Sequence, residues 1–233
     1  MQTVRRAHGL LRHGNMDVRY RHRRDAGRRL AAALLPYANR RDVVVLALPR
    51  GGVPVGFEVA ATLGAPLDVF VVRKLGLPGR EELAMGALAS GGVRVLDEDL
   101  IRVAGVSADE VQRVTEAEQT ELDRRERRYR DERPFPEVRG KTVILVDDGL
   151  ATGATMRAAV AALRLKGPAR IVVAVPVAAP ETCDAFKSIA DDIVCAVTPE
   201  SFQAVGLWYD DFSQTTDDEV RELLARSHLV IRA

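Results

Sequence analysis

From Val43 the chain runs Val43-Val44-Val45-Leu46-Ala47-Leu48, six apolar positions without a polar interruption, and then halts at Pro49-Arg50-Gly51-Gly52. A β-branched run of that length has no polar face to give to solvent. It predicts a strand buried on both sides and ending in a glycine turn. Four further runs carry a similar signature: Leu67 to Val72, Thr142 to Val146, Ile171 to Val175 and Ile193 to Val197. Between them apolar positions recur at helical spacing. Asp25 to about Pro36 predicts a first helix and Pro54 to about Gly64 a second; Thr155 to Lys166, Glu181 to Ser188 and Asp217 to Ala225 predict three more. Ser107 and Glu110 are spaced as a capping box and open a long charged helix running to about Arg130. Its mixed-sign run from Glu121 to Arg128 reads as a solvated face. The polar stretch Arg73 to Glu82, broken by Gly76, Pro78 and Gly79, reads as a loop, and the apolar runs flanking Ser90-Gly91-Gly92 as a hairpin.

Strands alternating with helices predict an α/β fold: a mainly parallel sheet flanked by helices, with ligands beyond the carboxyl ends of its strands. The 233 residues could hold one large domain or two small ones, but no Pro- or Ser-rich linker and no repeat divides them. Residues 23–233 therefore read as a single domain.

Composition trims the remaining options. With 47% apolar and 29% charged residues, the chain is neither disordered, collagen-like nor a disulfide scaffold. No run approaches the roughly 18 apolar residues of a spanning helix. No apolar core follows the basic N-terminus, so neither a membrane association nor a secretory signal is expected, and the expected location is cytoplasmic. Cys183 and Cys195, without CxxC spacing or a nearby histidine pair, read as two buried structural thiols. The net charge of +1 conceals an asymmetry: residues 1–41 hold eleven arginines against Asp17 and Asp25, leaving the rest of the chain at −8. Residues 1–22 read as a basic, mobile extension. Such an arm is able to grip phosphates of the kind nucleic acids present, but its pattern assigns it no function. Tyr20 and Tyr37 are too few for a single-strand stacking platform, and His8, His13 and His22 match no metal site.

The chemistry concentrates in Val143-Ile144-Leu145-Val146-Asp147-Asp148-Gly149-Leu150-Ala151-Thr152-Gly153-Ala154-Thr155. A buried strand delivers two adjacent carboxylates, then a small-residue turn opens a helix. Gly153, with Ala151 and Ala154, lets a main chain approach a phosphate, and amides at a helix start point outward unsatisfied. Thr152 and Thr155 add hydroxyl donors. Asp147 and Asp148 would repel that phosphate, but as acceptors they suit the vicinal hydroxyls of a ribose. Donors at one end and acceptors at the other fit a ribose 5-phosphate. Neither GxxxxGK[ST] nor GxGxxG is present, so this is no P-loop and no dinucleotide fingerprint.

The segment resembles the phosphoribosyl diphosphate (PRPP) signature of type I phosphoribosyltransferases. The resemblance extends to Pro49-Arg50-Gly51-Gly52, placed like the family's pyrophosphate loop, where a cis peptide at Arg50–Gly51 or its neighbour is implied. It extends also to Arg73-Lys74, followed by a stretch to about Gly86 that resembles a flexible closing loop. Residues 198–212 occupy the position of a small C-terminal hood, from which Phe202, Trp208 and Tyr209 are able to stack on a planar ring. LPRGG, VRKLG, DDGLATGAT and VGLWYDDF together resemble a bacterial subgroup whose acceptor is not established.

The resemblance implies transfer of ribose 5-phosphate from PRPP to a nitrogen acceptor, expected to be a nucleobase, with release of pyrophosphate. Arg50, Arg73 and Lys74 would stabilise the leaving group, with Gly51 and Gly52 shaping its loop. Asp147 and Asp148 would hold the ribose, and Gly149, Leu150, Ala151, Thr152, Gly153, Ala154 and Thr155 the 5-phosphate end. Mg²⁺ would be held through PRPP, helped by Asp147 and Asp148 rather than by a protein cage. A homodimer is implied by the same resemblance. One departure matters: Ala151 stands where hypoxanthine-type members carry an acid near the base, which weakens a 6-oxopurine assignment. A second reading is a PRPP- or nucleotide-binding regulator without turnover, contacting nucleic acid through the arginine-rich arm.

Overall fold

The computed structural model describes residues 19–130 and 133–231. In chain order its elements are α1 (Arg23–Ala33), β1 (Val43–Ala47), α2 (Gly52–Leu63), β2 (Leu67–Val69), β3 (Val72–Leu77), β4 (Arg80–Ala89), β5 (Val93–Leu96), α3 (Glu98–Ala104), α4 (Ala108–Arg130), β6 (Thr142–Val146), α5 (Ala154–Arg164), β7 (Arg170–Val177), α6 (Pro180–Phe186), β8 (Asp192–Val197) and α7 (Asp217–Ile231). Short 3₁₀ turns lie at Leu35–Tyr37 and Val205–Trp208.

Five strands form a parallel sheet in the order β2-β1-β6-β7-β8. Because strand side chains alternate between faces, each strand feeds two cores. Val43, Val45 and Ala47 join Ile144, Val146, Val172 and Ala174 under α1, α2 and α7. Val44 and Leu46 join Val143, Leu145, Ile171 and Val173 under α5 and α6. Burial on both faces explains the unbroken apolar runs, each large side chain contributing about 1.5–3 kcal/mol.

The topology also locates the site. The chain leaves β1 through α2 toward the β2 edge, but leaves β6 through α5 toward β7 and β8. The winding direction thus reverses between β1 and β6, and a crevice opens at their carboxyl ends. The two loops singled out by sequence sit on either side of it.

Three expectations change. The run Leu67 to Val72 serves two sheets rather than one strand. β2 stops at Val69, and Val72 begins β3 in a separate antiparallel sheet, β3-β4-β5. The stretch Arg73 to Glu82 is a hairpin rather than a loop, since Pro78 and Gly79 (φ 75°) form a two-residue turn between Leu77 and Arg80. Its polarity reflects exposure: Arg80 to Ala84 project into solvent as part of a two-stranded ribbon. Cys183 and Cys195 are joined as a disulfide, since α6 packs on β8 and brings their Cα atoms to 6.7 Å. Their burial is only partial.

The expected hairpin at Ser90-Gly91-Gly92 forms as β4–β5. The Ser107–Glu110 box closes reciprocally, with Glu110 Oε2 accepting from Ser107 N at 2.9 Å and Ser107 Oγ accepting from Glu110 N at 3.3 Å. The short helix α3, capped by Asp97 and ended by Gly105 at φ 68°, has no counterpart in the sequence-based reading. Residues 19–22, counted with the basic extension, belong to the fold. Tyr20 pairs with Tyr209 and is 1% exposed. The remainder of the extension lies outside the described residues.

Candidate active site

At the end of β1 the chain turns through Pro49-Arg50-Gly51-Gly52, and the Pro49–Arg50 peptide is cis, the neighbour of the bond singled out by resemblance. This turn lies directly against the loop after β6. A Cβ on Gly51 would fall on the Asp148 carboxylate and come within 3.2 Å of Arg23 Nε; one on Gly52 would sit 2.8 Å from the Val146 carbonyl. Only glycine allows that approach at either position. A Cβ on Gly149 would strike Val205 of the hood in the same way. Glycines therefore let three separate segments meet at one point.

Both carboxylates sit in the recess with partial solvent access. Asp147 Oδ1 accepts from Asp148 N at 2.8 Å, and Asp148 Oδ2 accepts from Arg23 Nε at 2.7 Å. Their other oxygens, Asp147 Oδ2 and Asp148 Oδ1, make no hydrogen bond among the described residues. Since no buried side-chain oxygen or nitrogen lacks a partner among the described residues, these two atoms reach solvent. Burial, and then the adjacent Asp148 charge, hold the Asp147 carboxyl well above the ordinary carboxylate range. Burial raises Asp148 as well, opposed by the Arg23 guanidinium.

Beyond them the loop lies open. Ala151, Thr152, Ala154 and Thr155 are exposed, and Gly153 caps α5 at φ 74°, with Phe186 too near for a Cβ. Leu150 anchors the loop by donating its NH to the Val177 carbonyl and accepting from Ala179 N. Thr182 Oγ donates to the Ala151 carbonyl at 2.6 Å. The first backbone bond of the turn is Arg157 N to Gly153 O, so the NH groups of Ala151 to Thr155 have no intramolecular acceptor among the described residues. Five main-chain NH groups are thus left without an acceptor at the start of α5, where the helix dipole is positive.

The basic candidates are less closely gathered. Arg50 follows the cis bond, but its Nη1 lies 3.8 Å from Asp217 at the start of α7. Arg73 is ion-paired with Glu118 of α4 at 2.6 Å. Lys74, its neighbour on β3, is exposed. No contact links Arg73 or Lys74 to Asp147, Asp148 or the open loop among the described residues. On the hood, Phe202 is half-buried and Trp208 likewise. Tyr209 is 3% exposed, its ring lies 5.4 Å from that of Tyr20 and its hydroxyl donates to the Asp148 carbonyl at 2.5 Å. It braces the acidic turn instead of offering a free face. Burial raises the Tyr209 pKa further, so the hydroxyl stays a donor.

Sequence reasoning missed Arg23 and Asp217. Arg23 stands 125 residues from its partner and looks like any other arginine of the basic arm.

Residues 20–209 match the family described as Phosphoribosyl transferase domain. The chain belongs to this family. A Mycobacterium tuberculosis protein named "putative phosphoribosyl transferase" is 48% identical over 206 residues, covering 88% of this chain and 46% of that protein. The chain thus spans about half the length of the curated relatives it matches. A crystal structure of a Thermus thermophilus protein superposes with a TM-score of 0.80 at 45% identity, covering 89% of this chain and 98% of that one. The parallel sheet with its appended antiparallel sheet is the type I phosphoribosyltransferase fold. No helix among the described residues is long and apolar enough to cross a membrane.

Proposed function

We propose that the chain is a PRPP-dependent transferase that moves ribose 5-phosphate to a nitrogen of a nucleobase-like acceptor and releases pyrophosphate. The observation that carries this reading is the row of five free NH groups at residues 151–155, set beside two carboxylates that each keep one open oxygen. Phosphate and ribose hydroxyls need complementary groups, and here both kinds stand next to each other in the required order. The family membership supports the same reading.

In this account the amides and the hydroxyls of Thr152 and Thr155 bind the 5-phosphate. Asp147 and Asp148 accept from the ribose hydroxyls and orient the ring. Positive charge builds on the anomeric carbon as pyrophosphate departs, and the twin carboxylates beside the sugar stabilise it. Arg50, Arg73 and Lys74 neutralise the leaving group. For Arg50 and Arg73 this requires exchanging Asp217 and Glu118 for diphosphate oxygens as the β3–β4 hairpin closes and excludes water.

Mg²⁺ suits this donor set only as part of the substrate chelate. Among the described residues no cluster of three or more His, Cys, Asp or Glu is placed to cage an ion, while two carboxylates with free oxygens suffice to meet one carried by PRPP. Bound there, it supplies positive charge to the diphosphate.

Pyrophosphate release from PRPP and Mg²⁺ over a panel of nucleobases tests the reading. Turnover with at least one base is expected. Tight PRPP binding with silence throughout would support a regulatory binding protein instead.

A further inference from the structure

We infer that α6 positions the 5-phosphate loop through Thr182, and that the thiol–disulfide state of Cys183 and Cys195 sets how firmly it does so. This rests on the transferase reading above and assigns a regulation to the same site.

The loop that follows Asp148 draws its shape from below. Ala151, Thr152, Ala154 and Thr155 are exposed, so their side chains pack against little. Leu150 is pinned to Val177 and Ala179 at the end of β7. The next two supports come from α6. Thr182 Oγ donates to the Ala151 carbonyl at 2.6 Å, and Phe186 lies so close beneath Gly153 that a Cβ there would sit 2.7 Å from its ring. Both contacts fall within the segment whose NH groups face the 5-phosphate. The aim of those donors therefore follows the position of α6.

α6 is itself held at few points. It has seven residues, no side-chain cap at its N-terminus, and its buried residues are Thr182 and Phe186. A helix this short has little stability of its own. The disulfide fastens it: Cys183, next to Thr182, is bonded to Cys195 of β8, 12 residues on. β8 is an edge strand paired with β7, so the bond ties α6 to the parallel sheet. Both cysteines are half-buried, which leaves them within reach of small thiols and disulfides. Reduction frees α6 from the sheet edge and populates arrangements in which Thr182 has left Ala151. PRPP then binds tightly only to the fraction of molecules that keep the contact. Glutathione disulfide is an oxidant that restores the bond. One protein thiolate attacks it and expels a glutathione thiolate with the bonding pair; the second protein thiolate attacks the mixed disulfide and expels the other. Two protein thiols are oxidised, one glutathione disulfide is reduced, and both protons end on glutathione.

The test uses the full chain, oxidised with glutathione disulfide or reduced with dithiothreitol, its thiol state read by mass spectrometry after alkylation and its fold by melting curves. Calorimetry gives the Kd for PRPP, ribose 5-phosphate and pyrophosphate, each with Mg²⁺. Reduction should raise the first two at least about threefold and change the third less than about twofold, since only the 5-phosphate end meets the loop. In the oxidised protein Thr182→Val should raise the ribose 5-phosphate Kd about fivefold, and Thr182→Ser, which keeps the donor, should stay near wild type. The double variant Cys183→Ser, Cys195→Ser should bind like the reduced protein and ignore glutathione disulfide. Equal ribose 5-phosphate affinity in the two thiol states, a parallel loss toward pyrophosphate, or a Thr182→Ser as weak as Thr182→Val would overturn the inference. So would a cysteine pair that neither reagent converts in the folded protein. Failure of both thiol states to bind PRPP would instead overturn the transferase reading beneath it.

Discussion

Asp147 carries a cost that the site imposes on the free protein. Its carboxyl is held well above its ordinary range by burial and by Asp148, so the folded state binds a proton more readily than the unfolded chain does. Stability then falls as pH rises from the ordinary carboxylate range through the raised value, because ionisation is harder in the fold. Asp147→Asn keeps an oxygen able to accept from Asp148 N while removing the charge. It should melt higher than wild type near neutral pH, with the advantage fading as the solution is acidified below the ordinary carboxylate range. Melting curves recorded across pH check this. An advantage that grows toward acid would mean that Asp147 is stabilised as an anion by something else. Tyr209 also shows why residue type underdetermines role: an aromatic in the hood reads as a ring to stack on, yet here it holds the Asp148 carbonyl from below.

At the scale of elements, legibility followed locality. β1, β6 and the turn into α5 are visible in the sequence because buried parallel strands and helix starts leave patterns within about ten consecutive residues. The β3–β4 ribbon reads as a loop because its tip faces solvent on both sides, so no alternation of apolar and polar positions marks it. Gly76 has the look of a breaker, yet it marks an irregularity in the ribbon where a Cβ would meet the Glu81 main chain at 2.8 Å. As a ribbon anchored at its base, this hairpin is suited to fold over a bound substrate as one body. Arg80 at its tip is exposed and should be an early trypsin site in the free protein. Together, PRPP and an acceptor should slow cleavage there several-fold. An unchanged rate under saturating ligand would count against closure.

Over the whole molecule, three distant parts of the chain converge on one residue, Asp148. Asp148 is braced by Gly51 after β1, by Arg23 of α1 and by Tyr209 of the hood, and Arg23 continues the link through Phe212. The acidic pair was legible from its place after a strand; its supports were not, because contacts across 61 to 125 residues leave no local trace. The same wiring makes the acidic pair the point where binding should fail first. Calorimetric titration of PRPP with Mg²⁺ into wild type and into the double variant Asp147→Asn, Asp148→Asn is the most direct test. Saturable binding to wild type, weakened at least about tenfold in a variant that still melts cooperatively, is the predicted result. Equal affinity in the two proteins would contradict the assignment of these carboxylates to the ribose, and with it the proposed function.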